Sequence, residues 1–568
     1  MKGVESFEFI PEEAARALEA IVGPDRITTD RAYCAADTGM GLSREIFGWG
    51  GISQDAACIV QPKTTQEVVG IVKVCNRYNL PYLPVVCRIC APTNPQLRTD
   101  IVIIDFVWMN KVEIDEKNMY AIVEPGVIQA QLQGEILDKD LYEYICGGGG
   151  YASVISDHVG YASGTGILNY RTDTWVTRRM SGVEWVSPEG ELYRMGSLVE
   201  GDEHGYWHDG LGPSTIGLMK GNNGWGGGMG IVTRMVIKLY PFQPEKLVTE
   251  GISCDSAVAL PPRVRWYNIT FQTEEALQKT MAEIHEAQIC AAINRVPVYW
   301  REIAKCRGDN DFRNQFWELW DKQTPETVAE THILRVLIIG YTSLKHLEYE
   351  ERVLMDIVKE NGGTPRKTRQ SDEGTFFNPN TLDQWMATGV FGLTTGSWES
   401  PRCIKAHDKL FVDRLDAYEF KHEYLPQHRE SPWHCSWAMG RSRYTETHAW
   451  NDGPKIDPLD SMFDPGAGPR HLIAAFGRLG VDIIIGNGAQ DLAGVFIRPI
   501  KLESPAYFDF TLWIDRFKKE FDPKGVSGPP FPYMMEAILA GLPPELQNEF
   551  KESAARAQAQ PWKGNPEG

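Results

Sequence analysis

The stretch Gln61–Val69, with the sequence QPKTTQEVV, decides the fold because it leads into a helix that a strand then follows. Thr64 and Glu67 have the spacing of a capping box, which marks a helix start. The apolar residues that follow recur on one helical face: Val68, Ile71, Val72 and Cys75. Pro81 is expected to end the helix, since proline disfavours the helical conformation in the residue before it.

Short apolar or alternating runs surround this helix, and their length and turn residues are typical of β-strands. The turn Pro188–Gly190 joins two of them, which predicts a hairpin. The predicted strands are Ile101–Phe106, Met119–Val123, Gly182–Val186, Glu191–Met195 and Ile231–Tyr240. Residues 1–245 are therefore predicted to form one domain of mixed α and β structure.

The pattern changes beyond Pro244, where longer helices alternate with strands. The predicted strand Val264–Phe271 precedes a helix at Glu274–Ala291, and Ile333–Ile339 precedes a helix at Leu344–Glu360. Two strand–helix units of this kind predict an antiparallel sheet covered by helices on one face. We assign residues 246–505 to this substrate, or cap, domain.

Composition excludes several classes of function. The formal net charge of -19 over 568 residues would repel both a nucleic acid backbone and an anionic membrane. Because no apolar run has the length of a signal peptide or a membrane span, we expect a cytoplasmic protein. The 11 cysteines are expected to be reduced thiols, and Cys87 and Cys90 lack the second pair that a metal site of this type needs.

Seven stretches occur in a characteristic order along the chain: Gln61–Val69, Val86–Thr93, Asp105–Lys111, Val123–Val127, Gly182–Glu191, Gly228–Thr233 and Phe521–Gly525. Together they resemble one family of flavoproteins, which includes vanillyl alcohol oxidase, the 4-cresol dehydrogenating flavoproteins and, more distantly, D-lactate and glycolate dehydrogenases. The resemblance implies an α+β fold, with a PCMH-type FAD-binding domain and a cap domain. It also implies that residues 506–568 return to the FAD-binding domain.

The resemblance further implies FAD as the cofactor, with its pyrophosphate held by backbone N–H groups of two loops. Gly147–Gly150 fits this role because four residues without Cβ let a phosphate approach the backbone closely; a flexible linker is the alternative. The glycines at 226–230 precede a strand, so they are not a Rossmann fingerprint. The predicted cofactor-binding residues are Arg88, Ile89, Cys90, Ala91, Thr93, Gly148, Gly149, Gly150, Ser156, His158, Gly160, Gly164, Gly166, Gly230 and Ile231.

The first of these loops departs from the family, which usually has two or three glycines there. Here Ile89 and Ala91 are poorly suited to positive φ, and Pro92 has no N–H to donate. Either FAD follows a different local path, with Arg88 and Thr93 compensating, or the flavin site is weakened.

The predicted chemistry is hydride transfer between a substrate carbon and the flavin, aided by a group that takes a proton or stabilises an anion. The stretch Trp433–Tyr444 is rich in polar and aromatic residues, although it could equally be an ordinary half-buried strand. The candidate catalytic residues are His434, Arg441, Tyr444 and Tyr170. The tyrosine of the family's phenol-binding tyrosine–arginine pair is present as Tyr507, but the arginine is absent.

Three hypotheses follow. The first is an FAD-dependent oxidoreductase acting on a small aromatic or alcohol-type substrate, and a homo-oligomer is expected. The second is a flavin-poor structural subunit. The third is a hydroxy-acid dehydrogenase subunit that passes electrons to a partner protein, although the histidine-rich metal motif usual in that branch is missing from the stretch 486–488.

Overall fold

The computed structural model describes the two large α+β regions and a C-terminal helix with the segment after it. The described residues are 3–4, 7–36, 56–86, 100–143, 153–156, 158–159, 180–196, 228–242, 248–250, 257–295, 306, 311–322, 332–366, 389–398, 433–437, 442–452, 510–528, 544 and 548.

Helices and strands are numbered in chain order. The helices are α1 Glu12–Val22, α2 Arg31–Ala36, α3 Thr65–Tyr78, α4 Gln129–Leu137, α5 Val154–Ser156, α6 Glu274–Ala287, α7 Phe312–Asp321, α8 Leu344–Glu360 and α9 Phe510–Phe521. The strands are β1 Ile27–Thr28, β2 Cys58–Val60, β3 Tyr82–Val85, β4 Val102–Asp105, β5 Val112–Asp115, β6 Tyr120–Val123, β7 Leu141–Tyr142, β8 Met180–Val186, β9 Leu192–Met195, β10 Ile231–Lys238, β11 Tyr240–Pro241, β12 Val248–Glu250, β13 Ala257–Ala259, β14 Val264–Phe271, β15 Ala292–Arg295, β16 His332–Ile339, β17 Thr364–Arg366, β18 Gly389–Trp398, β19 Trp433–Trp437 and β20 Ser442–Asp452.

Helix α3 begins where the sequence predicts. The Thr64 hydroxyl accepts a hydrogen bond from Glu67 N at 3.2 Å, as in a capping box. The Glu67 carboxylate does not complete that box; it accepts from Lys63 N and from both terminal nitrogens of Arg26 instead. The buried face of the helix is the predicted one: Val68, Ile71, Val72 and Cys75.

Two helix ends differ from the sequence prediction for the same reason. Asn79 adopts the left-handed conformation at φ 55° and ends α3 two residues before Pro81. Gln288, also at φ 55°, ends α6 at Ala287, so the predicted extension to Ala291 is wrong. A residue in this conformation ends a helix by letting the backbone satisfy its last carbonyl groups.

The first region contains two sheets. In the four-stranded sheet, ordered β1-β2-β4-β3, the strands β2, β4 and β3 are parallel and β1 is antiparallel. All four residues of β4 are buried, because apolar clusters lie on both faces of the sheet. The five-stranded sheet, ordered β5-β6-β10-β8-β9, is antiparallel throughout.

The hairpin β8–β9 joins these two sheets through α3. Its turn closes as predicted, with Ser187 N donating to Glu191 O at 2.8 Å. The Asn76 amide of α3 donates to the turn at Pro188 O at 2.6 Å, and the Thr65 hydroxyl donates to the carboxylate of Glu184 in β8 at 2.7 Å. The hairpin therefore packs against α3, the helix that begins within the stretch Gln61–Val69.

The second region is the predicted antiparallel sheet with helices on one face. Seven strands are ordered β17-β14-β16-β15-β19-β20-β18, and every pairing is antiparallel. Leu277 of α6 and Leu354 of α8 are buried against Leu334, Val336 and Ile338 of β16. Each such buried side chain stabilises the fold by roughly 1.5–3 kcal/mol.

The other face of this sheet is turned toward the first region. Tyr142 of β7 and Phe242 share a buried cluster with Trp266 and Leu337 of the sheet. The rings of Tyr142 and Phe242 meet edge to face with their centroids 5.7 Å apart. The sheet thus has one face covered by helices and one face that contacts the first region.

Candidate functional site

The segment after α9 connects the two sheets of the first region. Tyr82 N of β3 donates to Val526 O at 2.8 Å, and Gly528 N donates back to Tyr82 O at 2.8 Å. On the other side, Gly230 N donates to the Ser527 hydroxyl at 2.8 Å. Residues 526–528 therefore bridge the strand that leads into the first predicted phosphate loop and the turn that leads into β10.

A buried lysine holds this bridging segment in place. Lys518 Nζ donates to Gly228 O at 2.6 Å, to Ser527 O at 2.7 Å and to the Asp522 carboxylate. Asp522 also accepts from Val526 N and Ser527 N. Burial lowers the pKa of Lys518 below its ordinary value, and the nearby Asp522 carboxylate opposes that shift. All three ammonium hydrogens have acceptors, so the cation is held with its bonds satisfied.

The two glycines before β10 are required by backbone packing. A Cβ on Gly228 would lie 1.9 Å from Ser527 O, and one on Gly230 would lie 2.2 Å from Val186 O. Both have positive φ, at 55° and 79°. Gly230 N is bonded to the Ser527 hydroxyl, and Ile231 is 3% exposed, so both residues take part in the packing here. Their role in cofactor binding stays a prediction.

A series of close contacts connects the anchors of the two predicted phosphate loops. Phe106 N donates to Val85 O at 3.1 Å, where β3 ends and the first loop follows. Gly126 packs on the Phe106 and Met109 carbonyl groups, where a Cβ would lie 2.3 Å from Phe106 O. The Ser153 hydroxyl donates to Pro125 O at 3.0 Å, which brings the chain after Gly147–Gly150 to the same place. The described residues that flank the two predicted loops therefore lie close to one another.

Glu143 and His158 form a fully buried pair, one on each side of residues 147–150 in the sequence. His158 Nε2 is 2.8 Å from Glu143 Oε1, and the two side chains are 0% and 1% exposed. His158 Nδ1 is 2.7 Å from Val154 O, and since a carbonyl oxygen only accepts, Nδ1 carries the hydrogen of that bond. Both ring nitrogens therefore lie close to protein oxygens, those of Glu143 and Val154.

Glu184 balances burial against three hydrogen bonds. Burial alone would raise its pKa, but donors on Thr65, Arg194 and Thr233 hold the pKa below its ordinary value. The distances from the carboxylate oxygens to these donors are 2.7, 2.9 and 3.0 Å. Through these bonds the carboxylate ties α3 to both β8 and β10.

Many of the predicted site residues lie outside the described part of the chain. Of the described ones, Ser156 is exposed and its N–H donates to the Ser153 hydroxyl at 3.3 Å. Outside the described residues lie Arg88, Ile89, Cys90, Ala91, Thr93, Gly148, Gly149, Gly150, Gly160, Gly164, Gly166, Tyr170 and Arg441, together with Cys87 and Tyr507.

The register of the cap sheet separates the other two catalytic candidates. His434 lies opposite Arg295, whereas Tyr444 lies opposite Cys435, which in turn lies opposite Asn294. Directly opposed positions share a face of a sheet, and successive positions alternate. Arg295 is bonded to Glu274 of α6 at 2.5 Å, so the His434 position belongs to the helix-covered face. The Tyr444 position belongs to the face turned toward the first region.

Sequence reasoning missed Lys518, Ser527 and Glu143. The only local signal for Lys518 is its spacing of four residues from Asp522 on a helix that ends there. Glu143 and Ser527 carry no local signal, because their partners come from distant parts of the chain.

Comparison with known protein families gives a match within the first region. Residues 56–196 match the family model described as an FAD binding domain. Residues 56–196 are an FAD-binding domain. This match confirms the predicted cofactor. The described residues fit it, since those that flank the two predicted phosphate loops lie close together.

Two curated relatives are dehydrogenase or oxidase subunits. The chain is 29% identical over 194 residues to the glycolate oxidase subunit GlcD of Bacillus subtilis (strain 168). The aligned part is 33% of this chain and 37% of the relative. It is 26% identical over 262 residues to the 4-cresol dehydrogenase [hydroxylating] flavoprotein subunit of Pseudomonas putida, which covers 44% and 47%. The chain thus spans less than half of the length of these two relatives.

A solved structure extends the comparison to the whole fold. The 4-ethylphenol oxidase from Gulosibacter chungangensis superposes with a TM-score of 0.67 at 19% identity, over 93% of this chain and 98% of that one. The predicted α+β fold, a PCMH-type FAD-binding domain with a cap domain, is confirmed. Among the helices that the structure describes, none has the length and apolar content needed to cross a membrane.

Proposed function

We propose that this protein is an FAD-dependent oxidoreductase that transfers a hydride between a small aromatic or alcohol-type substrate and the flavin. The observation that carries the proposal is the FAD-binding domain at residues 56–196, together with a cap sheet whose helix-free face is turned toward the same region. Ligand sites occur preferentially where two such parts of a protein meet, and the family resemblance implies the same place for the flavin ring. Residues 1–245, 246–505 and 506–568 remain our proposed domain boundaries.

The proposed division of labour follows from the register. FAD, when bound, supplies the two-electron acceptor. Tyr444 is our first candidate for holding or moving the proton of the substrate hydroxyl, because its position belongs to the face turned toward the flavin domain. His434 is a weaker candidate because its position belongs to the helix-covered face. Tyr170 and Arg441 remain candidates.

The first test is flavin content. The protein is purified, and flavin absorbance is compared with protein concentration before and after incubation with FAD. We expect about one flavin per chain. A colourless protein that takes up no FAD would refute the proposal and favour the structural subunit. Acid precipitation then separates covalent from dissociable flavin.

The second test addresses the catalytic candidates. Flavin reduction is followed anaerobically with 4-hydroxybenzyl alcohol in Tyr444→Phe and His434→Asn, with Tyr349→Phe as the matched control, since that tyrosine is 55% exposed. We expect Tyr444→Phe to slow reduction by about 10²–10⁴-fold, the usual contribution of a positioned acid or base. His434→Asn should slow reduction less than Tyr444→Phe does, and Tyr349→Phe should reduce at the wild-type rate. Wild-type reduction in Tyr444→Phe would remove that residue from the mechanism.

A second candidate function is a dehydrogenase that passes electrons to a partner protein. It is favoured by the Pseudomonas putida relative, which is named as a flavoprotein subunit. The reduced protein is mixed separately with oxygen and with a soluble dye acceptor. Reoxidation by the dye far faster than by oxygen supports the partner-dependent form, and rapid reoxidation by oxygen supports an oxidase.

A further inference from the structure

The buried pair of Glu143 and His158 joins two parts of the chain that four glycines separate in the sequence. His158 Nε2 lies 2.8 Å from Glu143 Oε1, and the two side chains are 0% and 1% exposed. The stretch Gly147–Gly150, which is predicted to bind the FAD pyrophosphate, lies between them in the sequence. The contact therefore brings together the two residues at which the segment 144–157 leaves and returns.

Each member of the pair follows an element that is itself held in place. Glu143 comes directly after β7, which pairs with β11 and contributes to the cluster that contacts the cap sheet. His158 follows α5, whose first residue, Val154, donates its N–H to Val127 O at 3.0 Å. The pair thus connects the strand at the cap contact with the short helix that is bonded to the segment before α4.

The surroundings of the imidazole indicate how many protons the pair holds. His158 Nδ1 lies 2.7 Å from Val154 O, and because a carbonyl oxygen only accepts, Nδ1 carries a hydrogen. In a neutral imidazole Nε2 then has a lone pair, which an ionised carboxylate oxygen at 2.8 Å would repel. The contact is attractive when one further proton is present, either on Nε2 or on the Glu143 carboxyl group. With that proton the pair has no net charge.

Both properties of the pair favour FAD binding by the glycines between its members. A backbone of four residues spans at most roughly 14 Å, and Gly147 is four residues from Glu143. Joining the two ends of a glycine-rich segment reduces the conformational entropy that the segment loses when it binds a ligand. A pair without net charge also does not repel an anionic pyrophosphate, whereas a buried carboxylate without a cation would.

We propose that Glu143 and His158 share one buried proton and are positioning residues for FAD. They act through the segment whose ends they join, so the role of His158 differs from the direct cofactor contact that the sequence predicts. This role concerns the cofactor and is independent of the substrate, and it therefore goes beyond the proposed function.

The test measures the FAD concentration that half-saturates the apoprotein, read from the flavin absorbance that the protein retains. Each measurement is made below the unfolding transition of the variant. Glu143→Leu removes the carboxyl group, whereas Glu143→Gln keeps the shape and brings an amide N–H that donates to the lone pair on Nε2. Glu350→Leu is the matched control, because the Glu350 side chain in α8 is 3% exposed and its Oε1 lies 2.9 Å from His346 Nε2.

We expect Glu143→Leu to need about tenfold more FAD or more, because apparent affinity falls with the fraction of chains in the binding-competent state. Glu143→Gln and Glu350→Leu should bind FAD as the wild type does, although Glu350→Leu loses a buried pair of the same kind and unfolds at a lower temperature. Equal FAD affinity in all four proteins would overturn the positioning role. An equal loss in Glu143→Leu and Glu350→Leu would do the same, since it would indicate general destabilisation. A loss in Glu143→Gln as large as in Glu143→Leu would overturn the shared proton.

Glu143→Asp replaces Glu143→Leu if that variant does not fold. It keeps the carboxylate but withdraws it from His158 Nε2 by the length of one carbon–carbon bond, about 1.5 Å. We expect Glu143→Asp to bind FAD more weakly than Glu143→Gln does, because the glutamine reaches the imidazole and the aspartate does not. Equal or tighter binding in Glu143→Asp would overturn the positioning role.

The failure of this role differs from the failure of the proposed function. A protein that binds and reduces flavin, with equal FAD affinity in the wild type and in every Glu143 variant, keeps its function and loses the positioning pair. A wild type that takes up no FAD would overturn both.

Discussion

Replacement of Lys518 by methionine is expected to loosen the contacts that residues 526–528 make with β3 and with the turn before β10. The change leaves the Asp522 carboxylate buried without its cation and removes the bonds to Gly228 O and Ser527 O. Breaking a buried ion pair by removing one partner costs about 3–5 kcal/mol. Since about 1.4 kcal/mol is tenfold in an equilibrium constant, the equilibrium constant for local opening should rise at least about 10²-fold.

Hydrogen exchange measures this opening locally, which is preferable to one unfolding midpoint in a chain of several domains. The informative peptide contains Tyr82, whose amide N–H is bonded to Val526 O. The double variant Lys518→Met/Asp522→Asn should recover part of the protection, because it removes the uncompensated charge. Lys519→Met is the control, as its side chain is exposed and should change stability by no more than about 0.5 kcal/mol. Equal protection in Lys518→Met and Lys519→Met would refute the reasoning.

Three further predictions concern the FAD-binding domain. The pKa of Glu184 is lower in the folded state than its unfolded value of about 4.3. The stability that the carboxylate adds is therefore complete above the unfolded pKa and is lost as the pH falls through the folded pKa. In unfolding curves measured below about pH 5, Glu184→Gln should show a smaller loss of stability with acid than the wild type does. Gly228→Ala would place a Cβ 1.9 Å from a backbone oxygen, so it should lower the thermal midpoint strongly and release FAD; an unchanged midpoint would contradict the packing. Gly134→Ala, in α4 with no atom within 4 Å of the added Cβ, should instead stabilise by about 0.5–1 kcal/mol in the same assay.

The local elements were predictable because their signals lie within a few residues. The cap at Thr64 and the hairpin turn at Pro188–Gly190 each follow from side-chain chemistry that neighbouring residues supply. Helix α8 was predicted with its observed bounds, since Ser343 caps it at the residue where the apolar periodicity begins. The helix ends at Asn79 and Gln288 escaped prediction, because a left-handed residue other than glycine has only a weak sequence signal.

The candidate site was predictable only in part, because it depends on which strands are neighbours. Period-two alternation separates His434 from Cys435, but only the pairing of β19 with β15 says which face each belongs to. The sequence does predict the FAD-binding domain and the α+β fold correctly, since its motifs keep their order along the chain.

The bridging segment also constrains how the protein is made. Lys524 donates to Asn76 O across 448 positions of sequence, and its neighbours pair with the edge of β3. At a synthesis rate of about 5–20 residues per second, that edge leaves the ribosome roughly 20–90 s before its partner does. During this interval the nascent chain carries an open β-edge, which is a site for wrong pairing. The flavin domain is therefore among the first parts of the chain to be synthesised and among the last to be completed.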